Sequence, residues 1–184
     1  MCPLYVALLH HPVYDRNGQV VATAVTNMDV HDLARIGKTF GVRRIYIATP
    51  VRALRLLAEK IIEHWEHGFG ATYNETRRVA LALVRTVTDL DAAILETERE
   101  AGEAPVLVAT SARQGKRHVS FADLRRRLGE GSAPHLLVLG TGWGLTPEII
   151  DRADLVLEPI QGVAGYNHLP VRAAAAIMLD RLLR

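Results

Sequence analysis

The hydrophobic positions along the chain change period several times, and each change marks a new element. Leu4 to Leu9 is a short, continuous apolar run, and Gln19 to Ala24 is a second strand candidate. The turn signal Asp15-Arg16-Asn17-Gly18 lies between them. From Asp29 to Phe40 the residues Val30, Leu33, Ala34, Ile36 and Gly37 fall at near-helical spacing, and Gly41 supplies a stop before a strand over Arg44 to Ala48. Helices are predicted over 51–67 and over a long stretch, 75–100, broken near Asp89, with Gly68-Phe69-Gly70 as the loop between them. Val106 to Ala109 reads as a short strand and Phe121 to Leu128 as a helix. His135 to Leu139 and Leu155 to Ile160 read as strands, and Pro170 opens a closing helix through Leu183. Strands alternating with helices predict an α/β fold, a mainly parallel sheet with helices on both faces. The 184 residues are expected to form one domain, 1–184.

Composition narrows the class without naming a function. Apolar residues make up 49% of the chain and charged residues 23%, ordinary for a globular protein and unlike a disordered one. A formal charge of +2 is too small to mark a nucleic-acid binder, so any electrostatic footprint has to be local. Cys2 is the only cysteine, which excludes an intramolecular disulfide and thiolate metal clusters. No apolar run reaches the length of a membrane span and the N-terminus has no signal-peptide pattern, so the expectation is a cytoplasmic protein without membrane or metal partners.

Candidate chemistry gathers in the last third. The Gly-rich turn Gly140-Thr141-Gly142-Trp143-Gly144 follows one strand, and Gln161-Gly162-Val163-Ala164-Gly165-Tyr166-Asn167-His168-Leu169-Pro170 follows the next. In open α/β sheets ligands collect outside the carboxyl ends of the strands, and glycines let backbone approach a ligand closely or turn at positive φ. Neither loop has the spacing of a dinucleotide fingerprint or a Walker phosphate loop.

These elements resemble the SPOUT class of RNA methyltransferases, α/β domains with a C-terminal trefoil knot that bind S-adenosylmethionine in three loops after consecutive strands. The third loop here is Ala109-Thr110-Ser111-Ala112-Arg113-Gln114-Gly115-Lys116. It is similar to the Ser-Pro-Gln-Gly-Lys stretch of bacterial tRNA (guanine-N1) methyltransferases, with two residues in place of one between Ser111 and Gln114. Tyr166 to Ala174 resembles the family's Ser-Leu-Asn-Val-Ser-x-Ala-Ala pattern, with His168 at the usual Asn and Pro170 at the usual Ser. A small group of single-domain SPOUT proteins shares the Gly-Thr-Gly-Trp-Gly and Tyr-Asn-His-Leu character. Near the N-terminus, Asn27 to Arg35 followed by Thr39-Phe40-Gly41-Val42 resembles the first motif of the ribose-methylating branch, lengthened by about two residues.

The resemblance implies S-adenosylmethionine held by Thr110, Ser111, Gly140, Thr141, Gly142, Ile160, Gly162, Gly165, Tyr166, Asn167 and Leu169. It implies that Asn27 and Arg35 orient the target nucleotide, and that a homodimer completes the site across subunits. The implied activity is methylation of tRNA or rRNA, with the acceptor, a base nitrogen or a ribose 2′-hydroxyl, left open. Methyl transfer from a sulfonium is a direct displacement that needs alignment and proton removal, not a metal. The second reading is an α/β protein that binds a nucleotide or metabolite in the same loops with other chemistry or none.

Several residues have two readings. Arg113, Lys116 and Arg117 are candidates for RNA phosphates, whereas Arg125-Arg126-Arg127 on the next helix cannot all face one way and fit a solvated surface. His10-His11 and His31-Asp32 lack metal-site spacing and fit structural or capping roles. Trp65, Phe69 and Tyr73, with His64 and His67, are able to stack on a base, although helix packing accounts for the Trp. Arg172 either reaches substrate or pairs with Glu158. The run Ala173-Ala174-Ala175-Ala176 suits close approach to a neighbouring element or subunit, or simply good helix propensity.

Overall fold

The structure is a computed structural model that describes residues 2–113 and 118–184. Strand β1 (Leu4–Leu9) is buried along its whole length. A small hairpin follows, β2 (Val13–Tyr14) paired antiparallel with β3 (Val20–Val21), and then helix α1 (Asn27–Phe40) and strand β4 (Arg44–Ala48). Helices α2 (Arg52–Glu66), α3 (Phe69–Tyr73) and α4 (Glu75–Leu81) lead to strand β5 (Val84–Val87) and helix α5 (Leu90–Ala101). The second half runs β6 (Val106–Thr110), β7 (His118–Val119), α6 (Phe121–Glu130), β8 (His135–Gly140), α7 (Pro147–Arg152), β9 (Leu155–Leu157) and α8 (Val171–Leu183).

Among the described residues, seven strands form one parallel sheet in the order β5-β4-β1-β8-β6-β9-β7. The apolar runs are continuous because both sheet faces are covered. Leu4, Val6 and Leu8 point into one core with Ile45, Ile47, Leu137 and Leu139, covered by α1, α2, α4, α6 and α8. Tyr5, Ala7 and Leu9 point the other way, with Tyr46, Leu136 and Val138, beneath α5 and α7.

Four sequence expectations are corrected. The turn over 15–18 forms, with Gly18 at φ 75°, but it joins β2 to β3, because both edges of β1 are occupied by β4 and β8. The predicted helix over 75–100 is α4, β5 and α5. Val84-Arg85-Thr86-Val87 pairs parallel with β4, with Val84 and Val87 buried and Arg85 exposed, and Asp89 caps the following helix by accepting from Ala92 N–H at 2.9 Å. The loop predicted at 68–70 is largely the start of α3. Helix α1 begins two residues before the predicted Asp29, because Thr26 and Asp29 form a reciprocal capping box.

Candidate functional site

Strands β8, β6 and β9 are neighbours and parallel, so the segments leaving their carboxyl ends emerge side by side. The side chains show that they meet. Asn167 Nδ2 donates to Ala112 O at 3.0 Å, joining the loop after β9 to the loop after β6. Trp143 lies edge-on to His168 with ring centroids 6.3 Å apart, joining the loop after β8 to the loop after β9. Tyr166 packs edge-on to the same His168 at 5.3 Å. The three glycine-bearing segments therefore form one cluster.

The loop after β8 is held in place by backbone bonds. Trp143 N–H donates to Tyr14 O at 2.8 Å, Tyr14 N–H to Gly144 O at 3.0 Å, and Thr141 N–H to Leu9 O at 3.2 Å. Thr141 and Thr23 hydroxyls lie 2.5 Å apart, and Thr23 Oγ1 lies 3.1 Å from Nδ1 of the fully buried His10. Burial pushes the His10 pKa down, with the negative charge of Asp29 opposing part of that shift. His10 thus belongs to the support of the loop. Gly142 is required where it stands, because φ is 59° and a Cβ would sit 2.7 Å from Tyr14 O.

The loop after β9 is looser. Between Gln161 and Leu169 only Tyr166 N–H bonds to another backbone group, Val163 O at 3.2 Å, among the described residues. The turn it closes has positive φ at both central residues, Ala164 (53°) and Gly165 (78°). For Ala164 this is strain stored in an exposed loop. Val163 is 87% exposed and Tyr166 71%, and Leu169 and Trp143 are also open. Unspent backbone groups beside exposed apolar side chains are the donor set that reads an adenine edge and covers its ring. The residues present therefore fit an adenosyl group.

The sequence-derived candidates divide into two sets. Ser111, Gly140, Thr141, Gly142, Gly162, Gly165, Tyr166, Asn167 and Leu169 fall in the converging loops. Thr110 and Ile160 are buried beneath them, Ile160 in the core and Thr110 with its hydroxyl donating to Val138 O at 3.0 Å. Asn27 and Arg35 are exposed on one stripe of α1, with Arg35 4.0 Å from Asp32. Arg113 is exposed beside Ser111, which accepts from its N–H, whereas Lys116 and Arg117 lie outside the described residues. Arg125, Arg126 and Arg127 are exposed, and Arg126 pairs with Asp123 at 2.8 Å. Among the described residues no cluster of three His, Cys, Asp or Glu could hold a metal, and no helix is long and apolar enough to cross a membrane.

Arg172 does not pair with Glu158. Glu158 instead accepts from Phe121 N–H at 2.7 Å. Arg172, at the start of α8, reaches Asp29 at 3.4 Å and Asp32 at 3.1 Å. The end of the loop after β9 is thereby clamped to the first turns of α1, which carry Asn27. In the alanine run, Ala175 is fully buried in the core and the others are half-buried, so part of the run serves packing within the chain.

The first turns of α1 also form one wall of an open groove of about 690 Å³ between α1, α2 and α4, lined by Asn27, His31, Lys60, Trp65 and Arg77 among others. Arg77 lies 4.8 Å over the Trp65 ring, and His31 and His64 each meet that ring edge-on at 5.4 Å. Desolvation and the Arg77 charge push the His31 pKa down. No periodicity in the sequence brings these residues together.

Comparison with known proteins gives a family and a fold. A family model described as SAM-dependent RNA methyltransferase matches residues 3–184. A protein of Oleidesulfovibrio alaskensis named tRNA (guanine-N(1)-)-methyltransferase is 44% identical over 180 residues, which are 98% of this chain and 42% of that protein. The chain thus spans about two fifths of that relative. An uncharacterized protein of Aquifex aeolicus is 38% identical over 179 residues, covering 97% of this chain and 87% of its own length. Among solved structures, TrmJ from Z. mobilis superposes with a TM-score of 0.65 at 13% identity, over all of this chain and 69% of that one. The SpoU methyltransferase AviRb from Streptomyces viridochromogenes, in complex with the cofactor AdoMet, gives 0.58 at 16% identity, over 98% of this chain and 57% of that one. At these identities the structural likeness establishes a shared fold.

Proposed function

The chain belongs to the SAM-dependent RNA methyltransferase family, and from that membership we propose that it methylates tRNA as a knotted, cytoplasmic homodimer of a single domain spanning 1–184. The observation that carries the site assignment is the meeting of three loops at one sheet edge, made by the Asn167 to Ala112 bond and the Trp143 to His168 contact. S-adenosylmethionine supplies an electrophilic methyl group on a sulfonium. The loops after β6, β8 and β9 hold its adenosyl part with backbone donors and acceptors, while Tyr166, Leu169 and Trp143 shield it from water. Proximity is the main catalytic term, because displacement at carbon needs donor, methyl and acceptor in line.

Asn27 orients the acceptor nucleotide and Arg35 its phosphate, offered from α1 of one protomer to the loops of its partner. Arg113, Lys116 and Arg117 contact the RNA backbone beside the cofactor loops. The tRNA assignment draws on the name of the longer relative, of which the matching region is two fifths; its guanine-N1 specificity is not carried over. The test is incubation of the protein and isotope-labelled S-adenosylmethionine with RNA from a strain lacking it, followed by nucleoside mass spectrometry. A labelled nucleoside from the tRNA fraction is expected, and its identity gives the acceptor atom. No incorporation into any RNA overturns the reading.

A further inference from the structure

Resting on the methyltransferase reading, we propose that the groove between α1, α2 and α4 binds a single-stranded RNA nucleotide next to the one being methylated. The base would lie against the Trp65–Arg77 pair and the phosphate on Lys60. The size, lining, charge, stacking wall, buried polar atom and position of the groove point to RNA.

Its size, about 690 Å³, is within the range of sites that enclose small organic groups. Its walls are largely apolar, and Met28 and Leu57 stay 57% and 46% exposed on them, surface that a monomer gains nothing by leaving wet. Its charge is positive. Lys60 and Arg77 have no carboxylate partner among the described residues, and the acid on the lining, Asp32, already faces Arg172 at 3.1 Å and Arg35 at 4.0 Å. An apolar slot edged by unpaired cations complements a base with its phosphate, whereas a carboxylate-rich or uniformly apolar partner would match only half of it.

The stack is also built in advance. Arg77 Cζ lies 4.8 Å over the Trp65 ring, Gly70 packs so close to the same indole that a Cβ would come within 2.6 Å of it, and His31 and His64 each meet the ring at 5.4 Å in a T-shaped arrangement. Unpaired RNA bases stack on guanidinium planes and aromatic rings, and a guanidinium already ordered on an indole loses little freedom when a base adds to it. His31 Nδ1 is buried at this wall without a hydrogen-bond partner among the described residues. Finally, Asn27 lines the same groove, and the Arg172–Asp32 pair joins it to the start of α8, just past the cofactor loop. RNA following the groove therefore arrives at the acceptor side of the reaction.

The probe is a short, fluorescein-labelled single-stranded RNA of mixed sequence, titrated at several salt concentrations into wild type, Lys60→Gln, and the double variant Lys60→Gln/Arg77→Gln. In a Trp143→Phe background Trp65 is the sole tryptophan and reports the contact by quenching. The double variant should bind RNA about tenfold more weakly, with a salt slope shallower by about two, and Lys60→Gln alone should lower the slope by about one. S-adenosylhomocysteine affinity and sedimentation should be unchanged. Wild-type RNA affinity and slope in both variants, or no quenching of Trp65, overturns the groove while leaving the cofactor reading intact. A change in oligomeric state at unchanged RNA affinity assigns the groove to a second copy of the chain and overturns the inference. If wild type binds S-adenosylhomocysteine but no RNA, the inference and the RNA part of the function both fall.

Discussion

The loops after β6, β8 and β9 and the groove beneath α1 are made of different materials. The loops are backbone: three positive-φ residues between Gly142 and Gly165 are glycines, Tyr14 and Leu9 carbonyls hold the loop after β8, and the exposed loop after β9 keeps most of its amides unspent. The groove is side chain: Arg77 over Trp65, two histidines at its edges, and Arg172 tied to two aspartates. Backbone recognition suits a cofactor that never changes, whereas side chains can be exchanged to suit one RNA or another. The two halves should therefore fail differently when mutated.

The largest effect is expected at Gly162. A Cβ there would lie 1.7 Å from Tyr166 O, so Gly162→Val must reshape the loop after β9. S-adenosylhomocysteine binding measured by calorimetry should fall at least a hundredfold, while the melting temperature stays near wild type because the loop is exposed and adds little to the core. Retained affinity would remove that loop from the site. Gly140→Val is a poorer test, since its Cβ would meet Leu145 side-chain and backbone atoms at 2.8 to 3.0 Å and disturb the fold with the pocket.

Breaking the clamp between the two regions comes next. Arg172→Met leaves the buried Asp29 without its cation and the half-buried Asp32 with only Arg35 at 4.0 Å. We expect about a tenfold loss in methyl-transfer rate with cofactor affinity within threefold. The stability cost should be about 1.5–3 kcal/mol, the range for a hydrogen bond to a charged group, read from urea midpoints. If cofactor affinity falls as steeply as the rate, the clamp serves the loops and not the acceptor side.

Acid should separate the regions through their histidines. His10 and His31 both have pKa values lowered from 6.5 in the folded protein, chiefly by burial, so below that pH the unfolded chain binds more protons than the folded one. The stability they contribute is fully present above about pH 6.5 and is lost as pH falls from there toward the folded values, by at most about 1.4 kcal/mol per pH unit for each group. His10→Gln, at the fully buried support of the loop after β8, should flatten that slope more than His31→Gln at the half-open groove. Equal flattening in urea titrations at a series of pH values would contradict the difference in burial.

The smallest effect is relief of strain. Ala164 has a φ of 53°, and Ala164→Gly should stabilise the protein by up to about 1 kcal/mol, offset in part by the greater freedom of glycine when unfolded. Cofactor affinity is the informative reading. Weaker binding despite higher stability would show that the strained turn is part of the site.

The same division decides what could be seen in the sequence. Strands β1, β4 and β8 are plain because burial on both faces makes their apolar runs continuous, and the glycine loops stand out because only glycine serves at Gly142 and Gly165. Strand β5 is hidden in the sequence, since Val84-Arg85-Thr86-Val87 is four residues between good helix formers and carries no period-2 alternation, and its strand character comes from pairing with β4. The β2–β3 hairpin was misassigned because the turn fixes a reversal but not which residues pair. Trp65 and His31 were visible singly, yet nothing in the order of the chain brings Arg77 over that indole or Arg172 to Asp29, because those contacts arise from how α1 packs on α4 and α8.

The most direct measurement is calorimetric titration of the wild-type protein with S-adenosylhomocysteine, repeated with Gly162→Val and with Lys60→Gln/Arg77→Gln. We expect saturable binding by wild type, its loss in the loop variant, and wild-type affinity in the groove variant. A wild-type protein that binds no S-adenosylhomocysteine, or a groove variant that loses it with the loop variant, would contradict a cofactor site built from the three loops alone.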